Sequence, residues 1–190
     1  MGVAPAEAGI VYFNNGPTTY TNDSTVPFDI DGGGNDYQLQ LTWNSTDGSE
    51  VRWVSLSANT VAVDAGNVAA LTAGMTIGSA LSYGTDSLLL SKKVLQGGNW
   101  PNDLNDPRYI GIRFLSGINT HYGWVRISAI ADDGAEEARA TVFDWAYEDT
   151  PDAEITAGDI GVPEPASFTL FALGAAGLAL LRRQRRKIPQ

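Results

Sequence analysis

Three consecutive segments in the second half of the chain alternate apolar and polar residues, and this alternation constrains the fold more than any other feature. The segments are residues 109–115, 121–130 and 138–148, separated by a Ser-Gly-Ile-Asn stretch and by an Asp-Asp-Gly turn signal. A period of two places alternate side chains on opposite faces of a strand. Three such strands joined by short turns predict an antiparallel meander, with Thr141, Phe143, Trp145 and Tyr147 on one face of the last strand.

Two further alternating segments lie upstream of this meander. Residues 37–43 carry an aromatic or leucine side chain at every second position, and residues 51–57 follow the turn signal Asp47-Gly48. Turn residues are dense from Ile10 to Tyr147, and only residues 67–78 have the composition for a helical turn or two. Short strands at this spacing predict an all-β fold, an antiparallel β-sandwich or jelly-roll-like domain.

We expect this domain to cover residues 9–147. Residues 1–8 are small and polar, and we interpret them as a disordered remnant of an export segment; a plain disordered N-terminus is the alternative. Residues 148–161 are rich in acidic residues, which predicts an extended linker between the domain and the C-terminal segment.

Charge is distributed unevenly along the 190 residues. Residues 1–163 hold 21 acidic and seven basic residues, a net charge of −14, and such a surface repels nucleic-acid phosphates. We therefore exclude nucleic acid as a partner of the main body. The chain has no cysteine, which excludes disulfides and thiolate-bound metals.

The C-terminal segment combines an apolar run with a basic cluster. Residues 166–181 contain no charged side chain, and as a helix they would span about 24 Å, somewhat less than the roughly 30 Å hydrocarbon core. Five basic residues follow: Arg182, Arg183, Arg185, Arg186 and Lys187. Positive charge stays on the cytoplasmic side, so we expect a single transmembrane helix with the N-terminal domain outside the cytoplasm. An ordinary tail anchor and a buried core helix are the alternatives.

A short motif precedes the apolar run: Val162, Pro163, Glu164 and Pro165. In this order, motif, apolar helix and basic tail over residues 162–190 resemble the PEP-CTERM sorting signal of Gram-negative bacteria. The resemblance implies recognition by an exosortase, an integral-membrane cysteine transpeptidase, with the lipid bilayer as second partner. It also implies a cell-envelope location: first the inner membrane with an exported N-terminal domain, then the cell surface or extracellular space after processing. The main body resembles the exported β domains that often precede this signal, in "YIGIRF" and "HYGWVRI" among other stretches.

The stretch "DIDGGGND" is the best candidate for a ligand site. Asp29, Asp31 and Asp36 surround three glycines, as in calcium loops of the form DxDGDGxxD, and hard cations prefer such oxygen ligands. The stretch departs from that form at Gly33, where the third acid is expected, and at Tyr37, where a ninth-position acid often falls. Calcium is the one cofactor we consider, and a glycine-rich turn with solvated acids is the alternative.

The other residues that could carry chemistry favour structural rather than catalytic roles. His121 is the only histidine, and without a Gly-x-Ser-x-Gly motif we interpret it as a packing or hydrogen-bonding residue at a strand end. The adjacent acid pairs at 132–133, 136–137 and 148–149 read as solvated turn and linker acids rather than a catalytic pair.

The five tryptophans divide into two groups. We expect four of them to lie in the core, because they fall within alternating strands: Trp43, Trp53, Trp124 and Trp145. Trp100 lies in the loop "QGGNWPND", and it is the candidate for ligand contact.

We therefore expect a non-enzymatic surface or extracellular-matrix protein, structural or adhesive, and linked to exopolysaccharide or biofilm. One alternative is a carbohydrate-binding module with a structural calcium site. A second alternative is a hydrolase.

Overall fold

The computed structural model describes residues 9–44, 48–85, 87–92, 100–101, 103–131 and 137–161, and every regular element in these ranges is a β-strand. The strands, numbered along the chain, are β1 (Ile10–Phe13), β2 (Thr18–Thr21), β3 (Ser24–Phe28), β4 (Tyr37–Asn44), β5 (Gly48–Ser55), β6 (Thr60–Asp64), β7 (Asn67–Val68), β8 (Thr76–Ile77), β9 (Tyr83–Gly84), β10 (Ser87–Lys92), β11 (Arg108–Ser116), β12 (Asn119–Ala131), β13 (Ala138–Glu148) and β14 (Ile155–Thr156).

All strand pairs are antiparallel. The larger sheet has the order β1-β13-β12-β11-β6-β7, with β2 also pairing with β13 and β9 with β6. The smaller sheet has the order β10-β5-β4-β3, and β14 pairs with β8. The predicted meander is confirmed as β11-β12-β13, because Phe114 lies opposite His121 and Val125 lies opposite Trp145.

The main core lies between the two sheets. The smaller sheet contributes alternating side chains such as Leu39, Leu41 and Trp53, and the larger sheet contributes Ile112 and Ile127 among others; all five are fully buried. The alternation that predicted the strands is therefore the alternation that builds the core. The all-β, antiparallel fold class is confirmed, and residues 67–78 contain β7 and β8 rather than helical turns.

A β-bulge interrupts the face expected for β13. Arg126 of β12 lies opposite Asp144, whereas Ile127 lies opposite Val142, so Phe143 is an extra residue on β13. Bulges of this kind bend a strand and redirect its side chains. The expected single face is therefore wrong: Val142 and Trp145 pack on the same core although they are three residues apart.

A second cluster of buried apolar residues covers the outer face of the larger sheet. Its larger members are Tyr122 and Trp124 from β12, Leu71 and Ile77 from the segment before β9, and Ile155. Part of this cluster comes from residues 152–160, which we call the C-terminal strap. The strap lies within the span 148–161 that the sequence predicted to be an extended linker, and it is instead folded against the sheet.

Backbone hydrogen bonds hold the strap in place. The amide of Asp152 donates to the Thr120 carbonyl oxygen (2.8 Å), and the amide of Ala157 donates to that of Met75 (2.8 Å). Gly158 has a φ of +86°, and a Cβ there would lie 3.0 Å from the Tyr109 hydroxyl, so both conformation and space favour glycine. Ile155 and Ala157, two residues apart, supply the buried side of the strap.

The predicted membrane helix at 166–181 and the N-terminal residues 1–8 fall outside the described residues. Across the parts of the chain that the structure describes, none of the elements is a helix of the length and apolarity needed to span a bilayer.

Candidate functional site

The acidic loop between β3 and β4 is shaped by its own side chains. Asp29 Oδ1 accepts a hydrogen bond from the Gly32 amide (2.7 Å), and Asp31 Oδ1 accepts one from the Gly33 amide (2.8 Å). Aspartate commonly closes turns in this way. Gly32 and Gly34 have φ values of +85° and +128°, a region that side chains disfavour. The glycine run is therefore required by the backbone.

Asp36 ends this loop in a buried position. Asp36 is only 8% exposed. One of its carboxylate oxygens accepts a hydrogen bond from the Ile30 amide and the other accepts one from Asn59 Nδ2, each at 2.9 Å. Burial raises the pKa of Asp36, and the negative charges of Asp31 and Asp29 raise it further, against the hydrogen bond from Ile30 that lowers it. An ionised Asp36 is thus held at a free-energy cost.

The fold brings the three predicted calcium ligands together. One carboxylate oxygen from each of Asp29, Asp31 and Asp36 lies within 4.8 Å of the other two. Calcium binds oxygen at 2.3–2.6 Å, so oxygens around one ion lie up to about 5 Å apart. Asp31 and Asp36 also line an open cleft of about 330 Å³ whose wall includes Asn59. The internal hydrogen bonds stabilise the loop without a metal, and a cation would add stability by relieving repulsion among the carboxylates.

His121 occupies a packed position near the start of β12. Its imidazole stacks on Phe114 with ring centroids 5.7 Å apart, and Tyr147 contacts it edge-on. Nδ1 lies 2.9 Å from the Glu148 carbonyl oxygen. Among the described residues, the hydrogen-bond partner of His121 is thus a backbone carbonyl rather than a serine or aspartate side chain.

The described members of the acid pairs belong to separate local networks. Glu137 accepts a hydrogen bond from Arg139 Nε (3.0 Å), and Glu148 accepts hydrogen bonds from the amide and the hydroxyl of Thr150 (3.0 and 2.7 Å). Asp149 accepts from the Gly9 amide (2.8 Å). Residues 132–136 fall outside the described ranges.

Trp100, the predicted ligand-contact residue, lies in the main core and is only 6% exposed. Three of the four tryptophans expected in the core are buried or partly buried: Trp53 and Trp145 at the main core, and Trp124 in the second cluster. Trp43 was expected in the core and is instead 38% exposed, because it lies opposite Ser49 at the end of the β4-β5 pair, beyond the inter-sheet core.

Two buried polar groups were missed by the sequence analysis. Asn59 holds Asp36 from 23 residues away, and no local motif signals that contact. On the outer face of the larger sheet, Arg126 Nε and Nη2 bond both oxygens of Asp144 (2.8 and 2.7 Å), and the Tyr12 hydroxyl donates to Asp144 (2.9 Å). Arg126 and Asp144 are cross-strand neighbours in the β12-β13 register, so the correct strand alignment would have predicted this ion pair.

The family model described as the PEP-CTERM protein-sorting motif matches residues 161–186. The match includes all four residues of the predicted motif and four of the five basic residues, with Lys187 one position beyond. It defines a protein with a C-terminal sorting signal, and it does not extend into the β-sandwich.

The chain therefore carries a PEP-CTERM protein-sorting motif over residues 161–186. The motif indicates an exported envelope protein that is sorted and processed by an exosortase, a membrane enzyme. No curated protein and no solved structure matches the chain.

Proposed function

We propose that this protein is a non-enzymatic component of the cell surface or extracellular matrix, where it acts as a structural or adhesive module linked to exopolysaccharide or biofilm. The observation that carries the proposal is the sorting motif at 161–186 directly after an acidic β-sandwich. The exported domain would be held in the inner membrane by residues 166–181 until an exosortase acts on it.

Charge supports this topology. In this topology the five basic residues at 182–187 would remain on the cytoplasmic side, and their long stems would reach the interface if residues 166–181 formed a short apolar helix. The body on the other side of the bilayer carries a net charge of −14. A strongly acidic surface keeps an exported module soluble and disfavours association with its own copies.

The boundary of the folded body supports processing without loss of structure. The first compact unit ends at Ile160, and the matched motif begins at Gly161. All strands of the described body lie upstream of the motif, so removal of the signal leaves the sandwich covalently complete.

A reporter fusion tests the sorting proposal. A secreted reporter carrying residues 162–190 is expressed in a Gram-negative host that encodes an exosortase, beside a control in which Pro163, Glu164 and Pro165 are alanine. We expect the wild-type fusion to appear first in the membrane fraction and then as a shorter exported product, and the control to keep its full size. A wild-type fusion that stays soluble and cytosolic contradicts the proposal.

A second candidate function is a carbohydrate-binding module with a structural calcium ion. The convergence of Asp29, Asp31 and Asp36 favours it. We expect millimolar calcium to raise the Tm of the full chain and to raise that of the Asp31→Asn variant less, because the affinity for calcium falls as the number of charged ligands falls. An unchanged Tm in the wild type argues against the metal.

A further inference from the structure

The bulge in β13 coincides with a gap between its edge partners. On that edge, β1 pairs with residues 145–148 and β2 pairs with residues 139–142, so Phe143 and Asp144 have no partner in the register of either strand. The connection between β1 and β2 crosses this gap. The result is a cleft of about 160 Å³, which we call the bulge cleft, between the larger sheet and β3 of the smaller sheet.

The bulge cleft combines aromatic rings with a polar rim. The rings are those of Tyr20, Phe28, Phe143 and Trp145, and the rim includes Thr18 and Asp29. Pockets with mainly apolar walls and a few polar groups are typical of small-ligand sites.

Two contacts fix the Trp145 ring. It stacks on Phe13 at 5.4 Å with an interplanar angle of 14°, and Phe28 contacts it edge-on at 6.1 Å. Its indole Nε1 is buried, and among the described residues it has no hydrogen-bond partner. An unpaired buried donor is unfavourable.

We propose that the bulge cleft binds one ring of a neutral sugar within a longer glycan. The cleft volume of about 160 Å³ is close to the roughly 150 Å³ of a cavity that holds one six-membered ring such as benzene, and the open side of the cleft leaves room for the ring hydroxyls. The apolar face of a sugar ring suits aromatic walls, and its hydroxyls suit the rim formed by Thr18 and Asp29. The net charge of −14 on residues 1–163 disfavours acidic glycans.

The inference gives the carbohydrate-binding alternative a location, and it rests on that alternative rather than on the sorting signal. The proposed sugar contact lies at the β13 bulge, among the aromatic residues that line the cleft. Trp100, which is buried, is not part of it.

Calorimetric titration of the full chain tests the proposal. The protein is kept in a zwitterionic detergent without a sugar headgroup, and the probes are neutral tetrasaccharides of glucose, mannose, galactose and N-acetylglucosamine, with polygalacturonate as the acidic comparator. Thr18→Arg places a long side chain at the exposed rim, and Thr25→Arg makes the same change at an exposed β3 position that does not line the cleft. Phe143→Ala removes a wall.

We expect at least one neutral tetrasaccharide to bind the wild type and Thr25→Arg equally. Thr18→Arg and Phe143→Ala should weaken that binding about tenfold or more. If Phe143→Ala does not fold, as judged by its thermal transition, Thr18→Arg still decides the question because its site is exposed.

Three results would overturn the proposal. Equal binding by the wild type and Thr18→Arg would leave a carbohydrate module in place but move its site elsewhere. Absence of binding to every neutral probe at millimolar concentration would remove both the cleft and the carbohydrate alternative, leaving the sorting proposal untouched. Stronger binding of polygalacturonate would contradict the choice of a neutral sugar.

Discussion

The indole Nε1 of Trp124 donates a 3.0 Å hydrogen bond to the carbonyl oxygen of Asp159. Trp124 lies in the middle of β12, and Asp159 lies two residues before the start of the sorting motif. This bond fastens the end of the C-terminal strap to the larger sheet. The folded body therefore continues almost to the signal.

Loss of this hydrogen bond should loosen the strap. The Trp124→Phe variant keeps an aromatic ring but has no donor, and we expect a destabilisation of about 1 kcal/mol from the bond, with a further contribution from the smaller ring. The amide of Ala157, which donates to Met75, should exchange its hydrogen faster. Trp43→Phe is the matched control, since Trp43 is partly exposed. Equal effects of the two changes would show that the strap is not held in this way.

Burial of Ile155 predicts a large effect of its truncation. Ile155 is 3% exposed and Ile118 is 96% exposed, so the same isoleucine-to-alanine change compares a packed site with a solvated one. We expect Ile155→Ala to lower the free energy of unfolding by about 2–5 kcal/mol and Ile118→Ala to change it by less than about 0.5 kcal/mol. Denaturant unfolding measures both. A negligible effect at Ile155 would return residues 148–161 to the status of a linker.

The raised pKa of Asp36 predicts a specific pH dependence of stability. Between the ordinary pKa of 3.8 and the higher folded pKa, the native state retains a proton that the unfolded chain has released. The contribution of Asp36 to stability therefore falls as the pH rises through this window, and the loss persists above it. Asp36→Asn should therefore flatten the acidic part of the Tm profile.

Neutral pH gives an independent measure of the same residue. Both Asp36 oxygens accept hydrogen bonds, whereas an asparagine amide offers one acceptor, so Asp36→Asn also loses a buried bond and about 1–3 kcal/mol. If the Tm of Asp36→Asn depended on acidic pH as steeply as that of the wild type, the pH dependence would belong to another group.

Calcium and protons should compete at this loop, because each neutralises the same carboxylates. A hard cation binds the ionised carboxylates of Asp29, Asp31 and Asp36, and protonation of Asp36 competes with it. We expect the calcium-induced rise in Tm to shrink as the pH falls below the folded pKa of Asp36. Magnesium, which demands a tighter octahedral shell, should produce a smaller rise. A calcium effect independent of pH would locate the ion away from Asp36.

Local patterns predicted the elements whose partners are near in sequence. The β11-β12-β13 meander followed from alternation, because adjacent strands joined by short turns pair with each other. The acidic loop followed equally, since Asp29, Asp31 and Asp36 lie within eight residues.

Long-range packing accounts for the failures. The strap pairs Ile155 with Ile77, on a strand far upstream, and its acidic residues hide that apolar contact in the composition. The bulge at Phe143 shifts the face of β13 by one residue, which no periodicity reveals. The bulge cleft depends on this shift and on long-range strand pairing, because its walls come from β2, β3 and β13.

Mass spectrometry of the mature C-terminus from native cells tests the central claim most directly. The account predicts that the exported protein keeps the sandwich through Ile160 and lacks the basic cluster at 182–187, because an exosortase has acted at the motif that spans 161–186. A mature chain that retains its sequence to Gln190 and is recovered as a soluble cytosolic protein would contradict it.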